Sequence, residues 1–461
     1  MPSPQPRLRR QVLAILSKGR GLLLHPARIV PAAYLAGWLL GTLLLWLPWA
    51  TKDGQTSWWE ASFTAMSALC ITGLAVVDTA SHWSHAGQAV ILLLIQVGGF
   101  GIMTLTSMIV FTVTGRASSV LARIAQTETR TSLKGIRRLP LRILTLSLVC
   151  ESVVALLLTL RFLALGYPPE RALYHGLFHA VSAFNNAGFA LYPDNLVGFN
   201  ADPWVMVPVC TAVVLGGLGF PVWNELLDRL RGTAPRRLWS VHLRLTVGAS
   251  LLLLAAGFLA VLALEWSNPA TLGSQGLSGK LLGALGGTVF PRTAGFNSID
   301  YDHVTGSTLL VTNALMVIGG GTAGTAGGLK VTTVAVLLLT VLTEVSGEQV
   351  TVVGGRRVSE ACIRQSLSVA VLGVAVVFGG VLAMASLESL PNEALSFEAI
   401  SAFGTVGLST GITPRISHGS WGVLMVLMFL GRVGPVSAAA ALAMRARLRR
   451  FAYPPQDPLV G

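Results

Sequence analysis

Charge is scarce in this chain: 11% of its 461 residues are Asp, Glu, Lys or Arg, where soluble domains carry about 25%. A chain so poor in charge cannot cover itself with polar surface, which excludes an ordinary soluble fold. Cysteine is nearly absent too. Cys70, Cys150, Cys210 and Cys362 are scattered through apolar sequence, so neither a metal spacing nor a disulfide framework is present and they are read as packing residues. No short apolar segment with a small-residue cleavage site follows the basic N-terminus, so no removable signal peptide is expected. The histidines form no catalytic or metal set. His175, His179 and His303 lie apart, and no nucleophile stands beside a base. An enzyme is therefore not expected, and His179 is read as a packing residue.

What the chain has instead is hydrophobic sequence, 52% of the whole. It falls into eight apolar stretches near 28–50, 87–113, 141–165, 204–227, 241–264, 307–342, 363–387 and 420–446. Each is long enough to cross about 30 Å of hydrocarbon as a helix, and a backbone in lipid must satisfy its own hydrogen bonds, which selects helices over open strands. The net charge of +13 does not point to nucleic acid, because the basic residues are parcelled into separate blocks. These are Arg7 to Arg28, Arg116 to Arg142, Arg229 to Arg244, and Arg445 to Arg450, with Arg356, Arg357 and Arg364 in a further loop. Threading eight spans puts all of them on one side. The positive-inside rule makes that side the cytoplasm, so a multi-pass protein of the cell inner (plasma) membrane with both termini cytoplasmic is expected. The opposite loops carry Asp53, Glu60, Asp78, Glu170, Asp194, Asp202, Glu265, Asp300, Asp302, Glu393 and Glu398. They either give an arriving cation a negative potential or are ordinary solvated loop residues.

Internal repetition decides the architecture. Ser62 to Leu69 (SFTAMSAL) leads into Cys70-Ile71-Thr72-Gly73, Leu177 to Phe184 (LFHAVSAF) into Asn185-Asn186-Ala187-Gly188, and Ser396 to Phe403 (SFEAISAF) into Gly404-Thr405-Val406-Gly407. In all three, Phe stands ten residues and Ser six residues before the glycine. A divergent fourth copy ends Arg292-Thr293-Ala294-Gly295, with Phe290 one place earlier than Phe184 and Phe403 in theirs. The glycines Gly73, Gly188, Gly295 and Gly407 are spaced by 115, 107 and 112 residues. Each copy runs span, short apolar segment, span. A segment of about a dozen residues cannot cross the bilayer and is expected to be re-entrant. The expected fold is thus an all-α polytopic membrane protein: four repeats of helix, re-entrant pore helix and helix around one pore, with eight transmembrane helices and four pore loops. The repeats are placed at 28–114, 140–230, 240–345 and 362–448, after a cytosolic segment 1–27 and before a tail 449–461.

A dehydrated cation needs oxygen ligands, and backbone carbonyls supply them without a fixed charge that holds the ion too tightly. Aiming successive carbonyls at an axis takes backbone conformations that favour glycine. The short helices also direct their partly negative C-termini at the pore centre. The sixteen residues of the four segments above are therefore the candidate selectivity filter, with K+ at Gly73, Gly188, Gly295 and Gly407. The second spans carry further glycine clusters at Gly98 to Gly101, Gly216 to Gly219, Gly319 to Gly321 and Gly431 to Gly434, the last containing Arg432. An arginine in mid-span faces water or a partner: it is either an electrostatic barrier in the pore or half of a structural salt bridge. The run Gly319, Gly320, Gly321, Thr322, Ala323, Gly324, Thr325, Ala326, Gly327, Gly328, Leu329, Lys330 must break its helix and is expected to be a mobile gating loop. Its match to G-x-G-x-x-G is rejected, since both flanks have membrane length rather than belonging to a soluble βαβ unit. A solute-coupled secondary transporter stays open as an alternative, because repeats and broken helices occur there as well.

Ile95 to Gly101, Asn185 to Phe189, Arg292 to Asn297, Gly319 to Lys330 and Gly431 to Pro435 together resemble the Trk/Ktr/HKT superfamily of potassium transporters, over nearly the whole chain. One span precedes Gly73, which resembles the Ktr-type membrane subunit. The resemblance implies potassium uptake, often with sodium as activator, a homodimer with one pore per protomer, and a cytosolic nucleotide-binding regulatory ring that carries the only nucleotide. It also implies filter glycines at Gly73, Gly188, Gly295 and Gly407, a gate at Gly319 to Lys330, and a pore arginine at Arg432. Sodium-selective relatives tend to have serine at the first filter glycine, so Gly73 favours potassium. Cys70 and Ile71 depart from the Ser or Thr common near that motif and leave the selectivity ratio open.

Overall fold

The computed structural model describes residues 26–122, 133–232 and 239–444. The basic blocks at Arg7 to Arg20, Arg123 to Arg130, Arg236 and Arg237, and Arg445 to Arg450, and the tail 449–461, lie outside the described residues.

Within them the chain is built of helices, in a recurring order of long, short and long. The first set is α1 (Pro26–Trp46), α2 (Trp58–Leu69) and α3 (His85–Ala122). The second is α4 (Leu133–Ala164), α5 (Pro169–Phe184) and a broken pair, α6 (Pro203–Gly217) with α7 (Phe220–Leu230). The third is α8 (Val241–Glu265), α9 (Leu277–Val289) and a second broken pair, α10 (Gly306–Val317) with α11 (Val331–Val345). The fourth is α12 (Glu360–Leu387), α13 (Asn392–Gly404) and α14 (His418–Met444). A two-residue hairpin, β1 (Val352–Val353) with β2 (Arg356–Arg357), joins α11 to α12.

The short helices α2, α5, α9 and α13 have 12, 16, 13 and 13 residues, too few to cross hydrocarbon at 1.5 Å per residue. Their starts are set locally. Ser57 and Glu60 close a capping box on α2, with Glu60 N to Ser57 Oγ at 3.2 Å and Ser57 N to Glu60 Oε2 at 2.7 Å, and Pro169 opens α5, where its missing N–H is no loss.

By length and hydropathy Pro140–Ala164, Val241–Glu265 and Glu360–Leu387 can each cross a membrane alone, and the bent α6–α7 pair can count as one more. The sequence reading expected an unbroken apolar run at 204–227, which the structure breaks, and a helix broken at Gly319 to Lys330 within 307–342, where the structure does leave the helix. Gly219 at φ +89° turns α7 away from α6 by 99°, and the glycine run between Val317 and Val331 leaves the helix altogether.

Packing runs in a closed circuit. Each short helix lies against the long helix before it, and the helix after it reaches the next set's short helix: α3 touches α5, α6 touches α9, α10 touches α13, and α14 returns to α1 and α2. The phenylalanines ten residues before three of the glycines, Phe63, Phe178 and Phe397, are buried at the centre of these contacts. Phe63 packs on Trp421 and Phe397 on Tyr301, with ring centroids 5.9 and 5.8 Å apart.

Candidate functional site

Where each short helix ends, the backbone turns left-handed twice. Ile71, Asn186, Thr293 and Thr405 have φ of 49°, 58°, 72° and 48°. Two residues later Gly73, Gly188, Gly295 and Gly407 have φ of 94°, 71°, 67° and 98°. A β-branched residue rarely tolerates the first of these conformations, yet Ile71, Thr293 and Thr405 all adopt it, each fully or nearly fully buried. In three copies the turn is held by the same bond, from the amide just before the glycine to the carbonyl of the repeated serine: Thr72 to Ser67, Ala187 to Ser182 and Val406 to Ser401, each 2.8 Å. The serine hydroxyls do more. Ser67 Oγ accepts from Gly73 N at 3.1 Å and Ser401 Oγ from Gly407 N at 3.0 Å, while Ser182 Oγ donates to Phe189 O at 2.8 Å. The third copy has Val289 in place of serine and closes one residue tighter, Ala294 N to Phe290 O at 2.9 Å.

The four glycines close into a ring in chain order. A Cβ placed on Gly73 would lie 2.5 Å from Ala187 O, and one on Gly188 2.7 Å from Ala294 O. On Gly295 it would strike Val406 O, and on Gly407 Thr72 O, with Gly73 Cα 2.9 Å away. Each glycine thus abuts the carbonyl that precedes the next glycine, and the last meets the first. Both the positive φ and the lack of space make any side chain at these positions strained, since neighbouring backbone would have to shift. The ring brings together four backbone segments rich in carbonyl oxygens, at the C-terminal, partly negative ends of four helices. A dehydrated cation can be ligated there.

Of the sixteen candidate residues, Cys70, Asn185 and Arg292 have side chains engaged by neighbouring groups. The Cys70 thiol lies 3.6 Å from Met66 Sδ. Asn185 Nδ2 donates to Gln96 Oε1 at 2.9 Å and to Glu151 Oε1 at 3.1 Å. Arg292 turns to α8, with Nη1 3.3 Å from Ser250 O and Nη2 3.1 Å from Ser250 Oγ. The glycine clusters of the second spans seat the ends of the short helices: a Cβ on Gly98, Gly216 or Gly431 would collide with the carbonyl oxygen of Leu69, Phe184 or Phe403, each four residues before a ring glycine.

Beneath the ring, residues 318–330 are seated by backbone bonds to the α6–α7 break. Gly321 N donates to Gly217 O at 2.7 Å, Thr325 N to Gly216 O at 3.2 Å, and Phe220 N to Ala323 O at 3.1 Å. The side chains of Thr325 and Asn186 meet at 3.1 Å, and a Cβ on Gly327 would lie 3.0 Å from Gly404 O, so the loop abuts both the second and the fourth segments. Lys330 Nζ donates back to Ala326 O at 2.5 Å. Arg432, 2% exposed, donates from Nη1 to Thr325 O. Among the described residues no carboxylate pairs with it; its partners there are the loop carbonyl and the Tyr34 hydroxyl of α1.

Outside the ring a cavity of about 600 Å³ opens, lined by all four glycines together with Asp78, Asp194 and Asp300. Two acids read as outer-loop residues are not solvated: Glu265 and Glu398 are fully buried, because hydroxyls and amides surround them. His179 is a buried structural residue, with Nδ1 2.7 Å from His175 O and Nε2 accepting from Leu191 N at 3.2 Å. Sequence reasoning passed over Gln96, Glu151 and Asn195. Asn195 donates to Gly188 O at 3.2 Å and accepts from Asn297 N. Its signal was slight, a lone Asn in a loop where left-handed backbone suits Asn.

The family model TrkH, described as a cation transport protein, matches residues 28–447. The chain is 36% identical to the Ktr system potassium uptake protein B of Bacillus subtilis, over 95% of this chain and 97% of that one. It is 35% identical to the protein of the same description from Vibrio alginolyticus, over 94% of each. To the potassium/sodium uptake protein NtpJ of Enterococcus hirae it is 32% identical, over 97% of this chain and all of the other. The crystal structure of the potassium transporter TrkH from Vibrio parahaemolyticus is similar with a TM-score of 0.73, covering 92% of this chain and 85% of that one. At 17% identity that likeness bears on the fold alone.

Proposed function

Since the chain belongs to the TrkH family of cation transport proteins, we propose that it is the pore-forming membrane subunit of a Ktr-type potassium uptake system in the bacterial plasma membrane. The observation that carries the reading is the ring itself: four glycines in left-handed backbone, each against the carbonyl before the next. In this reading the four sets of helices are repeats of one unit, 28–114, 140–230, 240–345 and 362–448, whose eight spans surround one pore with both termini cytoplasmic. Potassium sheds water in the acid-lined outer cavity and is ligated at Gly73, Gly188, Gly295 and Gly407. A membrane potential supplies about 2.3 kcal/mol per 100 mV for each charge moved inward.

The loop Gly319 to Lys330 is the gate in this reading, and Arg432 fastens it from α14. The contact to Thr325 O supports that pairing. The basic loops form the side on which a cytosolic nucleotide-binding ring docks, two protomers associate with one pore each, and sodium acts as activator. The relative described as a potassium/sodium uptake protein favours a second reading in which sodium also passes.

The test is rubidium uptake into liposomes holding the purified chain, with potassium and sodium as competitors. Potassium is expected to compete at far lower concentration than sodium. Equal competition assigns a non-selective cation pathway, and no uptake by folded protein removes the transport reading.

A further inference from the structure

Counting from each ring glycine, the residue nine places before it and the amide three places after it meet in two of the four copies. In the second, His179 Nε2 accepts from Leu191 N at 3.2 Å. In the fourth, Glu398 Oε1 accepts from Thr410 N at 3.2 Å. The side chains differ, yet the backbone amide they hold is the same one. The third copy has glycine there, Gly286, and the residue three after its ring glycine, Ser298, turns its own side chain into the vacated space and donates to Gly283 O at 3.0 Å. In the first copy the places fall to Thr64 and Val76, both described, and no hydrogen bond joins them.

We propose that Glu398 and His179 are positioning residues for ion selection: they are struts that fix the chain leaving the ring and so set the width of the outer mouth along one diagonal. Because the ring closes in chain order, the second and fourth segments face each other across it. The walls they hold are those of the outer cavity, which Tyr192 and Ser409 line. Each strut is reinforced. Ser409 Oγ donates to Glu398 Oε1, Thr413 Oγ1 donates to Oε2 at 2.9 Å, and Trp421 Nε1 donates to Thr413 O at 2.8 Å. On the other side Tyr192 stacks on His179 with centroids 5.1 Å apart and planes 19° from parallel, while its hydroxyl meets His175 Nδ1 at 2.9 Å. With Nε2 accepting from an amide, His179 is the neutral Nδ1–H tautomer, its Nδ1–H donating to His175 O. A carboxylate and a neutral imidazole thus do the same task, which is to accept one backbone N–H. Buried polar groups so fully satisfied define one geometry rather than a family of them.

The inference rests on the potassium reading above, and the experiment separates the two. Rubidium uptake into liposomes is measured for the full chain, with the potassium and sodium concentrations that halve it. Glu398→Ala is expected to shift the potassium-to-sodium ratio by about tenfold toward sodium, the scale of one lost hydrogen bond to a charged acceptor. Glu398→Gln keeps an oxygen for Ser409 and Thr410 and an NH2 for Thr413, so it should hold the ratio within about threefold. His179→Leu should move the ratio in the same direction as Glu398→Ala. Should Glu398→Ala fail to fold, Ser409→Ala with Thr413→Ala loosens the same carboxylate and is expected to give a smaller shift. Glu265→Gln alters an equally buried carboxylate, held by Thr271, Thr305 and Thr308 away from the ring, and should leave the ratio unchanged. A wild-type ratio in Glu398→Ala, or in the double variant where Glu398→Ala does not fold, overturns the struts. So do equal shifts in Glu398→Ala and Glu398→Gln, which would make charge rather than geometry the cause. Absence of rubidium uptake by the wild-type chain instead overturns the function reading.

Discussion

The two sides of the glycine ring, the outer facing the cavity and the inner facing residues 318–330, are built on opposite rules, and the contrast is visible helix by helix.

 On the outer side the four copies are nearly interchangeable. Left-handed backbone recurs at the same two positions of every copy, and each glycine is wedged against its neighbour's carbonyl. On the inner side no such likeness survives. The helices after the first and fourth glycines, α3 and α14, continue unbroken past their glycine clusters. The second breaks into α6 and α7 at 99°, and the third unwinds for the whole of 318–330. On the proposed reading, ligands in a ring need one shared geometry, which repetition supplies, and a closure needs one element that can move while the rest hold, which the asymmetric half supplies.

The largest effect is expected from spoiling the symmetric half. In Gly73→Ser the new Cβ meets Ala187 O at 2.5 Å, backbone that cannot move without its own glycine ring contact. The left-handed conformation adds a penalty of about 1–2 kcal/mol for any L side chain. Discrimination of potassium from sodium should fall by about tenfold or more, each 1.4 kcal/mol being a factor of ten. The check is the ratio of competing potassium and sodium concentrations in rubidium uptake; an unchanged ratio removes Gly73 from the ring's function. A smaller effect, of opposite kind, is expected from the asymmetric half. Removing residues 321–326 deletes the bonds to Gly216, Gly217 and Phe220 but leaves the ring glycines in place. Basal uptake should rise several-fold with the selectivity ratio kept, measured in the same liposomes, and unaltered basal uptake would mean that the loop does not close the path.

Much of this contrast was legible in the sequence, because it is written in glycine and in spacing. Gly73, Gly188 and Gly407 share a Phe and a Ser at fixed distances, and those serines prove to hold the turns. The glycine run from Gly319 to Gly328 announces a broken helix by composition alone. The bend at Gly219 was not legible, since one more glycine in an apolar run costs only about 1 kcal/mol and has many uses. Nor was the proposed role of the struts: the repeat sets Thr64, His179 and Glu398 side by side after its phenylalanine, but they have nothing in common as side chains, and only the hydrogen bonds to Leu191 and Thr410 reveal a shared task. Glu398 in particular reads as an outer acid until its three donors are seen. Arg432 was legible as a costly residue in mid-span, but its partner was not, because the carbonyl of Thr325 carries no mark in the sequence.

That partner gives the smallest and sharpest of the tests. A charge in the path and a latch on the loop both predict that Arg432→Ala raises basal uptake, but they diverge for a neutral donor. If Arg432 repels cations by its charge, Arg432→Gln removes the charge as completely as alanine does, and the two variants should leak alike. If it holds Thr325 O, glutamine still offers an NH2 on a shorter stem and should recover part of the closure. Leaving a buried carbonyl without its donor costs about 1–3 kcal/mol, which sets an upper limit of roughly a hundredfold on the shift between closed and open loop. Since the backbone bonds from Gly321 and Thr325 to α6 remain, the effect should be smaller than that of the loop deletion. Basal rubidium uptake with alanine above glutamine above wild type supports the latch; alanine and glutamine equal supports the barrier.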